Sequence, residues 1–151
     1  MLIYIGADHR GFNLKEQIKA YLKEQGYETA DVGASAYDKD DNYPVFARAV
    51  GEKIALDPEN GRGILICGSG VGMDVVANKF KGVRAGLAIS TDQVYSARHD
   101  DNVNVLVLAA DFTEEPAAIN IVRIFLATPF GGDDKYKRRL AQIREVEEGQ
   151  T

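Results

Sequence analysis

The chain has 151 residues, a formal net charge of −5 and 45% hydrophobic residues, a composition typical of one globular domain with a single core. The negative charge argues against nucleic-acid and anionic-membrane partners, which bind basic surfaces, and no apolar run approaches the roughly 18 residues that cross a bilayer. One cysteine cannot form an internal disulfide. We therefore expect a cytoplasmic protein with a single domain over residues 1–151.

Apolar runs and helical periodicities alternate along the chain. Strands are predicted over residues 2–6, 27–32, 63–67, 84–89 and 103–109. Helices are predicted over residues 13–25, 44–56, 73–80, 91–100, 113–127 and 134–148. Thr91 and Thr113 are the predicted N-caps of the fourth and fifth helices. This alternation predicts an α/β fold, a doubly wound, Rossmann-like sheet of about five parallel strands between two helical layers.

The third strand leads into Cys67 and then into the alternating glycines Gly68, Gly70 and Gly72. Backbone N–H groups in such a loop favour negative charge, so we expect the thiol to ionise more easily than a free cysteine. The spacing is not G-x-G-x-x-G, and no acidic residue ends the next strand, which argues against a dinucleotide site. The glycines form either a tight structural turn or a cradle for a small anion, and Cys67 is either a core residue or an activated base or nucleophile.

Other polar groups also have a structural and a functional interpretation. Asp8 and His9 follow the first strand, where contact with an anion or hydroxyl is as plausible as a surface role. A histidine at the end of the fourth helix suits the helix dipole, whereas the aspartates beside it do not, which points to function. The basic run 135–139 is either a solvated helix face or a phosphate-binding group. It has no evident route to the glycine loop of its own chain, so phosphate binding there would require a symmetric dimer.

The fifth predicted helix carries apolar residues around more than one face. We expect the sheet to cover one side of this helix and a partner subunit to cover the other.

Taken together, these segments resemble the type B ribose-5-phosphate isomerase family, which also includes allose- and galactose-6-phosphate isomerases. The resemblance is carried by residues 6–12, 42–44, 63–72, 77–79 and 82–85, and more weakly by residues 104–106 and the tail. It implies a homodimer, or a dimer of dimers, whose C-terminal helix reaches a partner subunit. It also implies a phosphorylated sugar as substrate, no metal and no cofactor. The reaction is then aldose–ketose isomerisation through a cis-enediolate, with ribose 5-phosphate as the expected substrate.

The resemblance also implies roles for individual residues. Cys67 is the base that moves a proton between C1 and C2, and Ser69 assists proton movement or ring opening. The catalytic residues are Cys67, Ser69, His99 and Asp100. The substrate-binding residues are Asp8, His9, Gly68, Gly70, Val71, Gly72, Asp101, Lys135 and Arg139.

The chain departs from the family pattern around the expected substrate. In an alignment without a gap, the family's ring-opening histidine falls on Asp100 and its asparagine on Asp101; aligned on the histidine, His99 takes that role. Asn42 replaces the first residue of Asp-Tyr-Pro, and Lys135 replaces one of two tail arginines. The substrate therefore stays open between ribose 5-phosphate and a hexose 6-phosphate, and a non-catalytic sugar-phosphate-binding module is a further alternative.

Overall fold

The computed structural model describes residues 1–149 and contains a five-stranded, entirely parallel sheet. The strands are β1 (Leu2–Ala7), β2 (Glu28–Asp31), β3 (Arg62–Cys67), β4 (Ala85–Leu87) and β5 (Val105–Ala109). Their spatial order is β2-β1-β3-β5-β4, so the direction of winding reverses between β1 and β3. Doubly wound sheets bind ligands at such a switch point, beyond the carboxyl ends of the strands. The predicted fold is confirmed.

Six helices connect or follow the strands. They are α1 (Phe12–Glu24), α2 (Tyr43–Leu56), α3 (Val71–Ala77), α4 (Thr91–Asp101), α5 (Glu115–Ala127) and α6 (Asp134–Glu148). Within residues 1–149, none of these helices combines the length and apolarity that crossing a bilayer demands.

Both predicted threonine caps are wrong. Ser90 precedes α4, and its Oγ accepts the Gln93 N–H at 3.2 Å. Helix α5 begins at Glu115 with a proline in its first turn and no side-chain cap, and Thr113 is buried before it. Proline presets the first-turn backbone and lacks the N–H that a cap would satisfy, so the helix starts later than the threonine suggests.

The two faces of the sheet carry separate apolar layers. Along β3, Ile64 and Ile66 face the layer under α1, α4 and α5, whereas Leu65 and Cys67 face the layer under α2 and α3. Helix α5 buries Ile121 and Phe125 against the first layer and packs on α1 and α4. Ile119, Ile124 and Leu126 of the same helix are only partly buried within the chain, so the coverage of this side by a partner subunit stays a prediction.

An ion pair between a buried lysine and a partly exposed aspartate joins α1 to the end of β2. Lys15 is fully buried, and its Nζ lies 2.9 Å from Asp31 Oδ2 and 2.6 Å from the carbonyl oxygen of Ala34. Burial alone would raise the pKa of Asp31, but hydrogen bonds from Lys19, Lys15 and the Gly33 N–H together hold it below its ordinary value. The pair anchors the start of the loop that runs from β2 to α2.

We expect Asp31→Asn to lower the free energy of unfolding at pH 7 by about 2 kcal/mol, because the buried Lys15 ammonium would lose its nearest carboxylate and be left with the more distant Glu16 at 3.6 Å. The lowered folded-state pKa of Asp31 means that its stabilisation is present above the unfolded-state pKa and is lost as pH falls through the folded-state pKa. The difference between wild type and variant in urea unfolding should therefore shrink in acid.

The control is Glu52→Gln, which breaks the exposed ion pair with Arg48 and should lower stability far less than Asp31→Asn does. Equal losses in the two variants would contradict the importance of the contact between Asp31 and Lys15.

Candidate active site

The thiol of Cys67 lies at the carboxyl end of β3 among backbone N–H groups. The Gly70 N–H donates to Cys67 Sγ at 3.2 Å, and the N–H groups of Met73 and Ser69 also face the sulfur. Gly70 has φ of +77° immediately before α3, a conformation that favours glycine, and a Cβ there would lie 2.5 Å from Leu87 Cδ1. The segment 67–72, called the Cys67 loop below, therefore forms a cradle of donors around one thiol.

The thiol ionises less easily than expected from the sequence. Burial raises the pKa of Cys67 above its ordinary value, and this effect exceeds the opposing hydrogen bonds from Met73, Gly70 and Ser69. The nearby Asp8 carboxylate raises the pKa further. The prediction of a thiol that ionises more easily than a free cysteine is therefore wrong. The donors that would stabilise a thiolate are equally able to stabilise a substrate oxyanion.

Asp8 and His9 lie beside the Cys67 loop at the switch point. Asp8 is buried, and its Oδ1 accepts the Gly11 N–H at 3.1 Å. His9 Nδ1 lies 2.7 Å from Asp41 Oδ1, and the His9 backbone N–H donates to the same oxygen at 3.0 Å. Asp41 thus fixes the His9 ring and leaves Nε2 for another partner. Sequence reasoning missed this role for Asp41, whose only signal was its place in an acidic run.

The carboxylates around His9 are the part of the site that could hold a metal ion. Ligand atoms of Asp8, His9 and Asp41 all lie within 4.8 Å of one another. The Asp41 side chain is only 8% exposed, and its Oδ2 has no hydrogen-bond partner among the described residues. A cation or a ligand hydroxyl would each satisfy this oxygen.

Two further residues that the sequence did not single out line the Cys67 loop. Tyr43 packs over the first turn of α3, where a Cβ on Gly72 would lie 2.5 Å from its ring. Arg10 lies against Gly68 and forms an ion pair with Asp111, which follows β5. The sequence signals were the tyrosine of residues 42–44 and the arginine directly after His9.

A second polar group is built around His99 at the end of α4. The His99 ring stacks on Tyr95 at 5.5 Å between centroids and meets Tyr136 of α6 edge-on at 5.5 Å. His99 Nδ1 lies 2.8 Å from Asp100 Oδ1. Hydrogen bonds from His99 and Tyr136 lower the pKa of Asp100, so the carboxylate is charged and holds the histidine proton on Nδ1.

The two predicted tail cations belong to this second group. Lys135 Nζ lies 4.7 Å from the centroid of the Tyr136 ring, and Arg139 Cζ lies 5.9 Å from it. We call these cations, together with Tyr95, His99, Asp100 and Tyr136, the His99 group. Within residues 1–149, no hydrogen bond, ion pair or ring contact joins the His99 group to the Cys67 loop.

The remaining predicted site residues lie either on the exposed surface of the Cys67 loop or at the β4 edge of the sheet. Ser69 and Val71 are exposed on the Cys67 loop. Asp101 lines a cavity of about 460 Å³ at the β4 edge of the sheet, together with Arg84 and Val146. The structure therefore brings Asp8, His9 and the Cys67 loop together and places the His99 group elsewhere on the chain.

A buried thiol under backbone donors, with a carboxylate and an oriented imidazole nearby, has the groups that proton transfer beside a developing oxyanion requires. The family model described as Ribose/Galactose Isomerase matches residues 3–143. The chain belongs to this family.

Its relatives and structural neighbours extend over the full chain. A probable ribose-5-phosphate isomerase B of Mycoplasma genitalium is 40% identical over 96% of this chain and 95% of the relative. The ribose-5-phosphate isomerase B of Mycobacterium tuberculosis is 37% identical over 97% and 90%. The Mycoplasma genitalium enzyme, solved with bound ribulose-5-phosphate, superposes with a TM-score of 0.94 at 39% identity, covering 97% of this chain and 96% of that one. The Clostridium thermocellum ribose-5-phosphate isomerase B gives a TM-score of 0.95 at 34% identity, covering 100% of both chains.

The raised pKa of Cys67 has a direct test, because the chain has a single cysteine. We expect alkylation by iodoacetamide to reach half its maximal rate at a higher pH in the folded protein than in the same chain unfolded in urea. Asp8→Asn should move the folded-state midpoint down, because a neighbouring negative charge is removed. A folded-state midpoint below that of the unfolded chain would show that the donors outweigh burial.

Proposed function

We propose that this protein interconverts ribose 5-phosphate and ribulose 5-phosphate. The observation that carries the proposal is the Cys67 thiol, which lies at the carboxyl end of β3 under the N–H groups of Ser69, Gly70 and Met73. Support comes from relatives that match nearly the whole chain and are named ribose-5-phosphate isomerase B. A structural neighbour solved with ribulose-5-phosphate supports it as well.

The chemistry follows from the base and its donors. The Cys67 thiolate removes the C2 proton of the open-chain aldose, and the electron pair forms an enediolate whose negative oxygen accepts N–H groups of the Cys67 loop. A proton then moves from the C2 hydroxyl to O1, a transfer that Ser69 assists, so that the negative charge lies on O2. The thiol returns its proton to C1 as the C2 carbonyl forms, which completes the ketose and restores the thiolate. A thiol with a raised pKa is the stronger base once ionised, which suits a weakly acidic C–H, although fewer sites are ionised at neutral pH.

We infer that the His99 group completes the Cys67 loop of a partner subunit in a homodimer or a dimer of dimers. In this arrangement α6 reaches the partner, His99 opens the sugar ring with Asp100 holding its Nδ1 proton, and Lys135 and Arg139 bind the phosphate. Asp8 and His9 of the first subunit contact the sugar from the other side. This arrangement is supported by the separation of the two groups within residues 1–149.

Residues 1–151 act as one domain in the cytoplasm, where a buried, unpaired cysteine stays reduced, and the reaction uses neither metal nor cofactor.

Replacement of the base tests the mechanism. We expect Cys67→Ala and Cys67→Ser to lower kcat by about 100- to 10,000-fold, because neither side chain can act as the base. Circular dichroism should stay unchanged. Leu65→Val, on the same face of β3, is the control for disturbed packing and should keep most of the activity. Full turnover by Cys67→Ala would exclude the proposed mechanism.

Mixed dimers test the shared site. Cys67→Ala and the double variant Lys135→Ala/Arg139→Ala should each be inactive alone. Their co-expression should restore about a quarter of the wild-type activity, because half of the dimers are mixed and each has one intact site. Co-expression of Cys67→Ala with Cys67→Ser is the control and should restore none. Sedimentation at the monomer mass of 16.5 kDa would argue against the dimer.

A hexose 6-phosphate is the second candidate substrate. It is motivated by the departures from the family pattern at Asn42, Asp100 and Lys135, of which Asp100 contacts His99 directly. Rates of ketose formation from ribose, allose and galactose phosphates would separate the two substrates. Proton exchange at C2 in deuterated water would separate both from a non-catalytic binding module, which would bind these sugars without exchange.

A further inference from the structure

Arg10 is held over the first residue of the glycine run. A Cβ at position 68 would collide with the Arg10 guanidinium, so the absence of a side chain at Gly68 is what admits the cation. An Arg10 Nη atom forms an ion pair with the Asp111 carboxylate. The Asp111 backbone N–H also donates to the Gly68 carbonyl oxygen at 3.0 Å. The guanidinium and its counterion are therefore both positioned against Gly68.

This arrangement joins the three central loops at the ligand edge of the sheet. Arg10 follows β1, Gly68 follows β3 and Asp111 follows β5, and these three strands are neighbours in the sheet. Exposed ion pairs contribute little to stability, so a stabilising role alone does not account for a cation held at this place. Its distinguishing property is its position beside the Cys67 loop, where a ligand would bind.

The Arg10 guanidinium keeps hydrogen-bonding capacity beyond its pair with Asp111. Arginine has five N–H donors, of which one carboxylate engages at most two in a bidentate pair. The Arg10 side chain is 53% exposed, so its remaining donors are accessible to a ligand entering over the glycines. A phosphate dianion, with three acceptor oxygens and more charge than a carboxylate, is the ligand group that this fork suits best.

We propose that Arg10 binds the phosphate group of the substrate as a cation supplied by the same chain as Cys67, with Asp111 holding it over Gly68. This inference rests on the proposed function, since it assigns one end of that substrate to a residue. In this arrangement the phosphate is bound between Arg10 of one subunit and the tail cations of the other. Arg10 then selects phosphorylated sugars without taking part in the proton transfer.

Kinetics of Arg10 variants test the assignment. We expect Arg10→Ala to raise KM for ribose 5-phosphate by about 10- to 100-fold and to leave kcat within about threefold, the pattern of a lost binding contact. Arg10→Lys should recover part of the affinity, because it keeps the charge but not the fork. Arg48→Ala, which removes an arginine from an exposed ion pair on α2, is the matched control and should change neither constant.

Calorimetry with inorganic phosphate as the probe separates this proposal from the isomerase function, because it needs no turnover. Phosphate should bind wild type, Arg10→Lys and Arg48→Ala, with its dissociation constant raised about 10- to 100-fold in Arg10→Ala. The same result in a protein without isomerase activity would support the phosphate site and reject the isomerase. Unchanged phosphate affinity in a folded Arg10→Ala variant, or a fall in kcat at unchanged KM, would overturn the proposal.

Discussion

The close approach of other groups to the Cys67 loop is the constraint on which the site depends. Gly70 must adopt a positive φ to aim its N–H at the Cys67 sulfur. Gly68 and Gly72 instead leave room for the Arg10 guanidinium and the Tyr43 ring. A side chain at any of the three positions would displace a donor, a cation or an aromatic wall. The alternating glycines are therefore a requirement of the site as well as of the turn.

Burial of the thiol has two opposite consequences for its chemistry. It removes water from Cys67 and raises the pKa of the thiol, which favours the protonated sulfur. The same exclusion of water strengthens every N–H dipole that faces a developing enediolate. Because a sugar C–H is a weak acid, the basicity of the Cys67 thiolate matters more for proton removal than the fraction of the thiol that is ionised. The sequence correctly predicted backbone N–H donors around the thiol. It did not reveal that burial of the thiol raises the pKa by more than these donors lower it.

The fold was predictable from sequence because its signals are local. Continuous apolar strands alternate with periodic helices, and β3 needs apolar residues toward both faces, which Ile64 and Leu65 supply. Both cap predictions failed because a serine one residue earlier and a first-turn proline competed with the threonines. Asp41 and Asp111 escaped prediction because their importance lies in partners at sequence separations of 32 and 101 residues, His9 and Arg10. No local pattern encodes such contacts.

The separation of the two polar groups is the structural reason for proposing that the chain acts as an oligomer. The Cys67 loop has a base and oxyanion donors, whereas the His99 group has an oriented imidazole and two tail cations. The base and the oxyanion donors belong to one group and the two tail cations to the other. A twofold partner would join one group of each kind without altering either fold. Arg10 would then be the same-chain anchor for the phosphate, which limits how far the substrate can shift as the second subunit's residues engage it.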